Sequence, residues 1–183
     1  MKSHNSALGS ILQNLPKSPE GHWVMAHSPI VISLKKYNIK TMLEIGFNNG
    51  YSAAMFMENL PLEKFYSLDI GTHPFVEEVQ KEFESRYEGR FFPFIDDSMN
   101  IRNTPLNDLE FDLVFIDGGH SYEVAHNDMM FAMDKARYIL LDDTAGGSPG
   151  VSKLVAFLRG SNKLEVVETY KMAGGAILYK CLK

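Results

Sequence analysis

The chain has 183 residues, 45% of them hydrophobic and 22% charged, enough apolar material for one globular domain with a full core and no reason for a second. A formal net charge of −5, with no Lys/Arg cluster interleaved with aromatics, argues against a phosphate-backbone partner, so no nucleic acid is expected. The single cysteine, Cys181, excludes an intrachain disulfide and a cysteine-built metal cluster; it reads as a lone buried thiol and agrees with a reducing, cytoplasmic setting.

The opening MKSHNSALGSILQNLPKSPE has no long apolar stretch and no small-residue cleavage site. No window approaches the ~18 apolar residues of a membrane span, so no membrane partner is expected. Residues 1–38 are expected to form a helical flank or lid, because SPEGHWVMAH and SPIVISLKKYN each pair an N-cap serine with proline at the first helical position. An exposed edge near this segment could pair two subunits into a homodimer. Residues 39–183 read as a single unit.

Its expected strands are TMLEIG, KFYSLDI, RFFPFIDD, FDLVFIDGG and ARYILLDDT. Helical patterns follow the first, second, fourth and fifth, as GYSAAMFMENL, HPFVEEVQKEFESRY, SYEVAHNDMMFAMDKA and GVSKLVAFLRG. Strand then helix, repeated, predicts a parallel sheet covered on both faces. SMNIRNTPLNDLE, polar and interrupted by Pro105, is expected to be a loop or a single turn. LEVVETYKM and GAILYKCL are separated by little more than AGG, which only a hairpin can span. The expected fold is α/β: a Rossmann-like, doubly wound, mostly parallel seven-stranded sheet with a C-terminal antiparallel hairpin and helices on both faces.

Such sheets bind ligands beyond the carboxyl ends of their strands, where the strand order reverses. EIGFNNGYS stands at that place. Gly46 and Gly50 let the backbone bend and approach a ligand, and the helix opening near Tyr51 offers N–H groups to a carboxylate or phosphate. A dinucleotide fingerprint would place a glycine between them, where this chain has Phe47, Asn48 and Asn49. Glu44 suits an ammonium or sulfonium charge better than a pyrophosphate. A glycine corner with a satisfied acid is the competing reading. Asp69, at the end of the second strand, follows the turn at about the spacing at which an acid takes ribose hydroxyls. Asp96, Asp97 and Ser98, after the third, can accept from an exocyclic amine. Three acidic strand ends describe a ligand with a cationic end, a ribose and an adenine.

FIDGGHSYE delivers Asp117 and His120 to the same sheet edge, and LLDDTAGGSPG puts Asp142 and Asp143 beside them. Asp117, Asp142 and Asp143 form an all-oxygen set suited to Mg²⁺, Mn²⁺ or Ca²⁺.

With these residues in place the sequence resembles the class I S-adenosylmethionine-dependent methyltransferases. It is most similar to a small-molecule O-methyltransferase-like branch, related to cephalosporin hydroxylases and sugar O-methyltransferases, with turns of the EIGFNNGYSA type and fourth strands of the FDLVFIDGGHSYEVAHND type. The resemblance covers roughly residues 40 to 181. It implies S-adenosylmethionine as cofactor, its amino acid portion faced by Glu44, Gly46 and Gly50 with Phe47, Asn48 and Ser52 beside them. It further implies Asp69 and Ile70 at the ribose, Asp97 and Ser98 at the adenine, and Asp117 as another cofactor contact. Two departures are visible: DKARYILL lacks the Gly-Gly that commonly precedes the fifth strand, and GGH stands where GDH is common.

The expected reaction is methyl transfer to a hydroxyl of a small molecule, with Asp117 and His120 catalytic. A divalent ion on the aspartates would lower the hydroxyl pKa, and His120 would remove its proton. In the competing reading Asp117 only orients the cofactor, His120 caps the next helix, and Asp142 and Asp143 satisfy turn N–H groups. A catalytically silent cofactor-binding domain and a cephalosporin hydroxylase-like enzyme stay open as alternatives; the missing glycine and the hairpin disfavour a nicotinamide oxidoreductase. His73, near the ribose edge, reads as a helix-start residue, His126 as mid-helix, and His22, Trp23, Met25 and His27 as an amphipathic flank. Met129, Met130 and Met133 read as core filler. Residues 1–38, SMNIRNTPLNDLE and TAGGSPG are expected to shape the acceptor pocket.

Overall fold

Along the central strands successive apolar side chains go to opposite faces, and both faces are covered. Met42, Leu113 and Phe115 enter one core while Leu43, Val114 and Ile116 enter the other. This is why LVFI, after Asp112, reads as a continuous apolar run and not as an alternating one. The computed structural model describes residues 11, 13–16, 28–172 and 174–182. The helix expected over SPEGHWVMAH, with His22, Trp23, Met25 and His27, lies outside them.

Seven strands form one sheet: β1 (Thr41–Ile45), β2 (Lys64–Asp69), β3 (Phe91–Ile95), β4 (Phe111–Ile116), β5 (Ala136–Leu141), β6 (Leu164–Tyr170) and β7 (Ala176–Cys181). Their order is β3-β2-β1-β4-β5-β7-β6. β1 to β5 pair in parallel, and β7 runs antiparallel to both β5 and β6. The doubly wound sheet with its closing hairpin is thus as expected. Pro93 lies in β3, an edge strand, where its missing N–H costs no ladder bond on the open side.

The helices are α1 (Ser28–Leu34), α2 (Tyr51–Asn59), α3 (Val76–Arg86), α4 (Tyr122–Lys135) and α5 (Pro149–Leu158). α1 begins at the Ser-Pro of SPIVISLKKYN. Side chains of α1, α2 and α3 fill one core, those of α4 and α5 the other. The β3 to β4 crossover holds two 3₁₀ turns, Ser98–Asn103 and Pro105–Asp108, where a loop or single turn was expected. Asp97 and Thr104 cap them through their side chains, and the buried Ile101 and Leu106 anchor them, so the polar stretch is ordered by two apolar pegs. Met129 is fully buried, with Met130 and Met133 packed beside it. Cys181 is only partly buried, because it ends β7 at the sheet margin.

Two elements tie the amino-terminal segment down. Ser33 Oγ donates to Glu168 Oε2 at 2.5 Å and lies 2.8 Å from the Tyr170 hydroxyl, fixing α1 against β6. Ile11 and Leu15 are buried in the α2 core, and Asn49 Nδ2 donates to the Pro16 carbonyl at 3.0 Å. Among the described residues no helix is long and apolar enough to cross a membrane.

Phe115 stands at the centre of β4, fully buried, with its ring edge-on to Phe56 at 5.4 Å. Phe115→Ala should lower the unfolding free energy by about 3–5 kcal/mol, read from a urea titration, since a core cavity of that size cannot collapse completely.

Candidate active site

The strand ladders continue one residue past their ends and bring the site into a single row. The N–H of Gly46 donates to Leu68 O, that of Asp117 to Ile45 O and that of Asp142 to Ile116 O, at 2.9, 2.9 and 3.1 Å. Asp69, Gly46, Asp117 and Asp142 therefore lie side by side along the carboxyl edge. The row spans the β1/β4 junction, where the strand order reverses.

Gly46 has φ +97°, and a Cβ there would lie 2.1 Å from the Asp117 carbonyl oxygen. Only glycine permits this approach of β1 to β4. The turn continues through Asn48, left-handed at φ 50°, which asparagine tolerates. Asp69 holds the turn: its Oδ2 accepts from the N–H groups of Phe47 and Asn48, both at 2.9 Å, and its Oδ1 from Gly71 N–H at 2.8 Å.

Beside the row lies a cavity of about 320 Å³. Of the residues expected at a cofactor, Gly46, Asn48, Asp69, Ile70, Asp97, Ser98 and Asp117 line it. His73, expected near the ribose edge, lines it too; Thr72, Gly118, Gly119 and Val124 also line it and were not anticipated. His73 stacks on Phe75 at 5.3 Å in this wall, and Gly118 and Gly119, two glycines straight after a strand-end acid, were the readable hint.

Glu44, Phe47, Gly50 and Ser52 stand behind the lining. The Phe47 ring is in the core against Phe83 and Phe91, because the turn directs it under α2 and leaves only its backbone toward Asp69. A Cβ on Gly50 would meet the Phe47 and Phe83 rings, so Gly50 serves packing. Glu44 is fully buried; Ser52 Oγ donates to its Oε1 at 2.5 Å, and its Oε2 has no partner among the described residues. Burial pushes its carboxyl up to about 8, against the pull of Ser52 and with the Asp69 charge adding.

Asp117, His120 and Asp143 present ligand atoms within 4.8 Å of one another. His120 Nε2 lies 2.8 Å from Asp143 Oδ2. Asp143 adopts φ 58°, a strained conformation for a non-glycine residue, and is boxed in by the Ser148 hydroxyl at 3.4 Å and by Gly174 of the hairpin turn. Asp142 is buried next to Asp117 but falls outside this three-way grouping. Burial raises Asp117 well above the usual carboxylate range, and the charges of Asp142, Asp143 and Glu44 raise it further. Ser121, not His120, caps α4, accepting from Val124 N–H. His126 stands within α4 between Tyr122 and Phe157.

This sheet, with an anion-lined cavity at its reversal point, is the architecture of the class I S-adenosylmethionine-dependent methyltransferases that the sequence resembles. A family model described as a methyltransferase domain matches residues 43–144, and the chain belongs to that methyltransferase family. Solved structures agree in fold. The S-adenosylhomocysteine-bound Podospora anserina methyltransferase PaMTH1 is 16% identical with a TM-score of 0.71, covering 100% of this chain and 89% of that one. The Bacillus cereus O-methyltransferase in complex with S-adenosylhomocysteine is 17% identical, TM-score 0.67, covering 97% and 91%. TomG from Streptomyces achromogenes, an O-methyltransferase of tomaymycin synthesis in complex with S-adenosylmethionine, is 15% identical, TM-score 0.65, covering 100% and 91%. A search of curated proteins by sequence found no match.

Glu44 keeps a proton in the fold that the unfolded chain releases near its ordinary pKa. Its stabilising share is complete at acid pH and is lost as pH rises toward about 8. Relative to Glu44→Gln, the wild-type melting temperature should therefore fall steadily between pH 5 and pH 8; a constant difference would show an unperturbed carboxyl.

Proposed function

We propose that the chain transfers the methyl group of S-adenosylmethionine to an oxygen of a small hydroxylated molecule, with help from a divalent ion. The observation that carries the reading is the convergence of Asp117, His120 and Asp143 beside a cavity walled by Asp69, Asp97 and Ser98.

The residues present fit the cofactor. The buried Glu44 Oε2 behind the glycine turn has no partner among the described residues, and a cation bound there would favour loss of the proton that burial otherwise holds on it; the cradle at Gly46 would be filled by any Cβ. Gly46 and Asn48 would hold the amino acid portion, Asp69 the ribose, and Asp97 with Ser98 the adenine, against the exposed Ile70. Asp69 already accepts three backbone N–H groups, so about one lone pair of its roughly four remains for the ribose. Bound there, S-adenosylmethionine supplies a methyl group on a positively charged sulfur.

His120 serves as the base. With its Nε2–H donated to Asp143, the imidazole is oriented and its Nδ1 carries the lone pair that takes the acceptor's proton. More than half of the His120 side chain is exposed, which lets a substrate reach it. Asp117 and Asp143, with Asp142 behind them, would hold the ion, whose charge lowers the pKa of a nearby hydroxyl. The 4.8 Å grouping also favours a second reading in which His120 is itself a ligand; an imidazole in the set shifts preference from Ca²⁺ toward Mn²⁺. The described part of residues 1–38 acts as a flank, supported by the Asn49 bond to Pro16 and the burial of Ile11 and Leu15, and residues 39–183 form the catalytic unit.

S-adenosylmethionine and S-adenosylhomocysteine should each raise the melting temperature, and NAD should not; a shift with NAD alone would overturn the cofactor assignment. His120→Ala should lower kcat about 10²–10⁴-fold. Calorimetric Mn²⁺ and Mg²⁺ titrations of the same variant separate the two roles: unchanged metal affinity marks a base, weakened affinity a ligand, and no heat with either protein removes the ion.

A further inference from the structure

The first turn of α5 meets the His120 corner twice, and neither contact belongs to the reaction itself. Gly150 lies inside that turn, and its φ is not left-handed, so the backbone conformation there would suit any residue. Alanine would favour the helix more, because glycine gives up the most backbone freedom on folding. What excludes a side chain is the neighbouring segment. A Cβ on Gly150 would lie 2.2 Å from the His120 carbonyl oxygen, 2.5 Å from the Tyr122 nitrogen and 2.7 Å from the Ser121 carbonyl carbon. Helix α5 therefore rests backbone to backbone on the loop that carries His120.

Ser148 makes the second contact. It stands at the N-cap position of α5, ahead of Pro149, where a serine side chain ordinarily accepts from a backbone N–H of the first turn. Here it makes no such bond. The residue is buried, and its hydroxyl donates instead to Asp143 Oδ2 at 3.4 Å, the oxygen that lies 2.8 Å from His120 Nε2. Gly174 bounds the other oxygen, since a Cβ there would come 2.8 Å from Asp143 Oδ1. Val151, next along α5, is buried and shares with Asp117, His120 and Asp143 a hollow of about 10 Å³, no larger than one water needs. The His120 side chain is 56% exposed, so burial does not set its direction. Its own backbone and Asp143 must set it, and α5 touches both.

We propose that Gly150 and Ser148 are positioning residues, the first fixing the backbone of His120 and the second the carboxylate of Asp143, so that α5 holds imidazole and acid at hydrogen-bond distance. The inference rests on the reading of His120 as a base oriented by Asp143 and extends it to the helix that does the orienting.

The test reads the tautomer of the His120 imidazole by ¹⁵N NMR in the full-length, metal-free protein at pH 9, where imidazoles are neutral, with the signal identified by its loss in His120→Ala. It needs neither acceptor nor cofactor. Asp143→Gly suits the left-handed φ of 58°, removes the acid and sets the unpaired value. The wild-type ratio of Nε2–H to Nδ1–H tautomer should exceed that value at least about tenfold, the worth of one hydrogen bond to a charged group. Gly150→Ala and Ser148→Ala should each lower the ratio at least about threefold and leave the signal of His73, beyond β2, unmoved. A lower melting temperature with the wild-type ratio intact, in either variant, would mean that α5 only packs there and would overturn the proposal. If Gly150→Ala does not fold, Ser148→Ala decides alone by the same criterion. A wild-type ratio no higher than that of Asp143→Gly would instead bring down the reading of His120 as a base oriented by Asp143, and this inference with it.

Discussion

The approach of Gly46 to the carbonyl of Asp117 is the contact from which the site is built. β1 and β4 are neighbours at the point where the sheet turns back on itself, and their first residues past the ladder must pass each other within a distance that no side chain permits. Because the backbones close there, Asp69 can reach across and accept from the turn N–H groups. A methyl group at residue 46 would open this junction and separate the groups that line it.

The second constraint is charge. Glu44, Asp69, Asp117, Asp142 and Asp143 are gathered on one edge, where burial first and neighbouring charge second push Glu44 and Asp117 above the usual carboxylate range. Such an arrangement stores free energy that a cationic ligand releases on binding. The left-handed backbone at Asp143 belongs to the same corner, held by the Ser148 hydroxyl and by the hairpin turn at Gly174.

Most of the architecture was legible because the signals were local and repeated. β-branched and aromatic runs, each followed by a helical period, leave little freedom beyond a parallel sheet, and a spacer as short as AGG forces a hairpin. The turn at 44–50 was legible as a site for the same reason, a strand, a glycine and a helix in fixed order. What sequence could not show was the inside and outside of that turn. Phe47 and Asn48 are adjacent, yet one ring goes into the core and the other side chain to the cavity wall, a division decided by Phe83 and Phe91 arriving from elsewhere in the chain. The partnership of His120 with Asp143, in preference to Asp142, likewise depends on which of two neighbouring acids the hairpin turn presses on.

The hairpin has a further consequence through its turn. Thr144 and Ala145 donate their N–H groups to the carbonyls of Gly175 and Gly174, so the loop carrying Asp143 is clamped by residues that come after every other strand but β7. During synthesis the parallel strands emerge first and can pair while that loop is still unclamped. The corner at Asp143 is therefore completed last, when β7 returns to lie beside β5. A ribosome stalled before that point would display a nearly finished sheet with the corner at Asp143 still open.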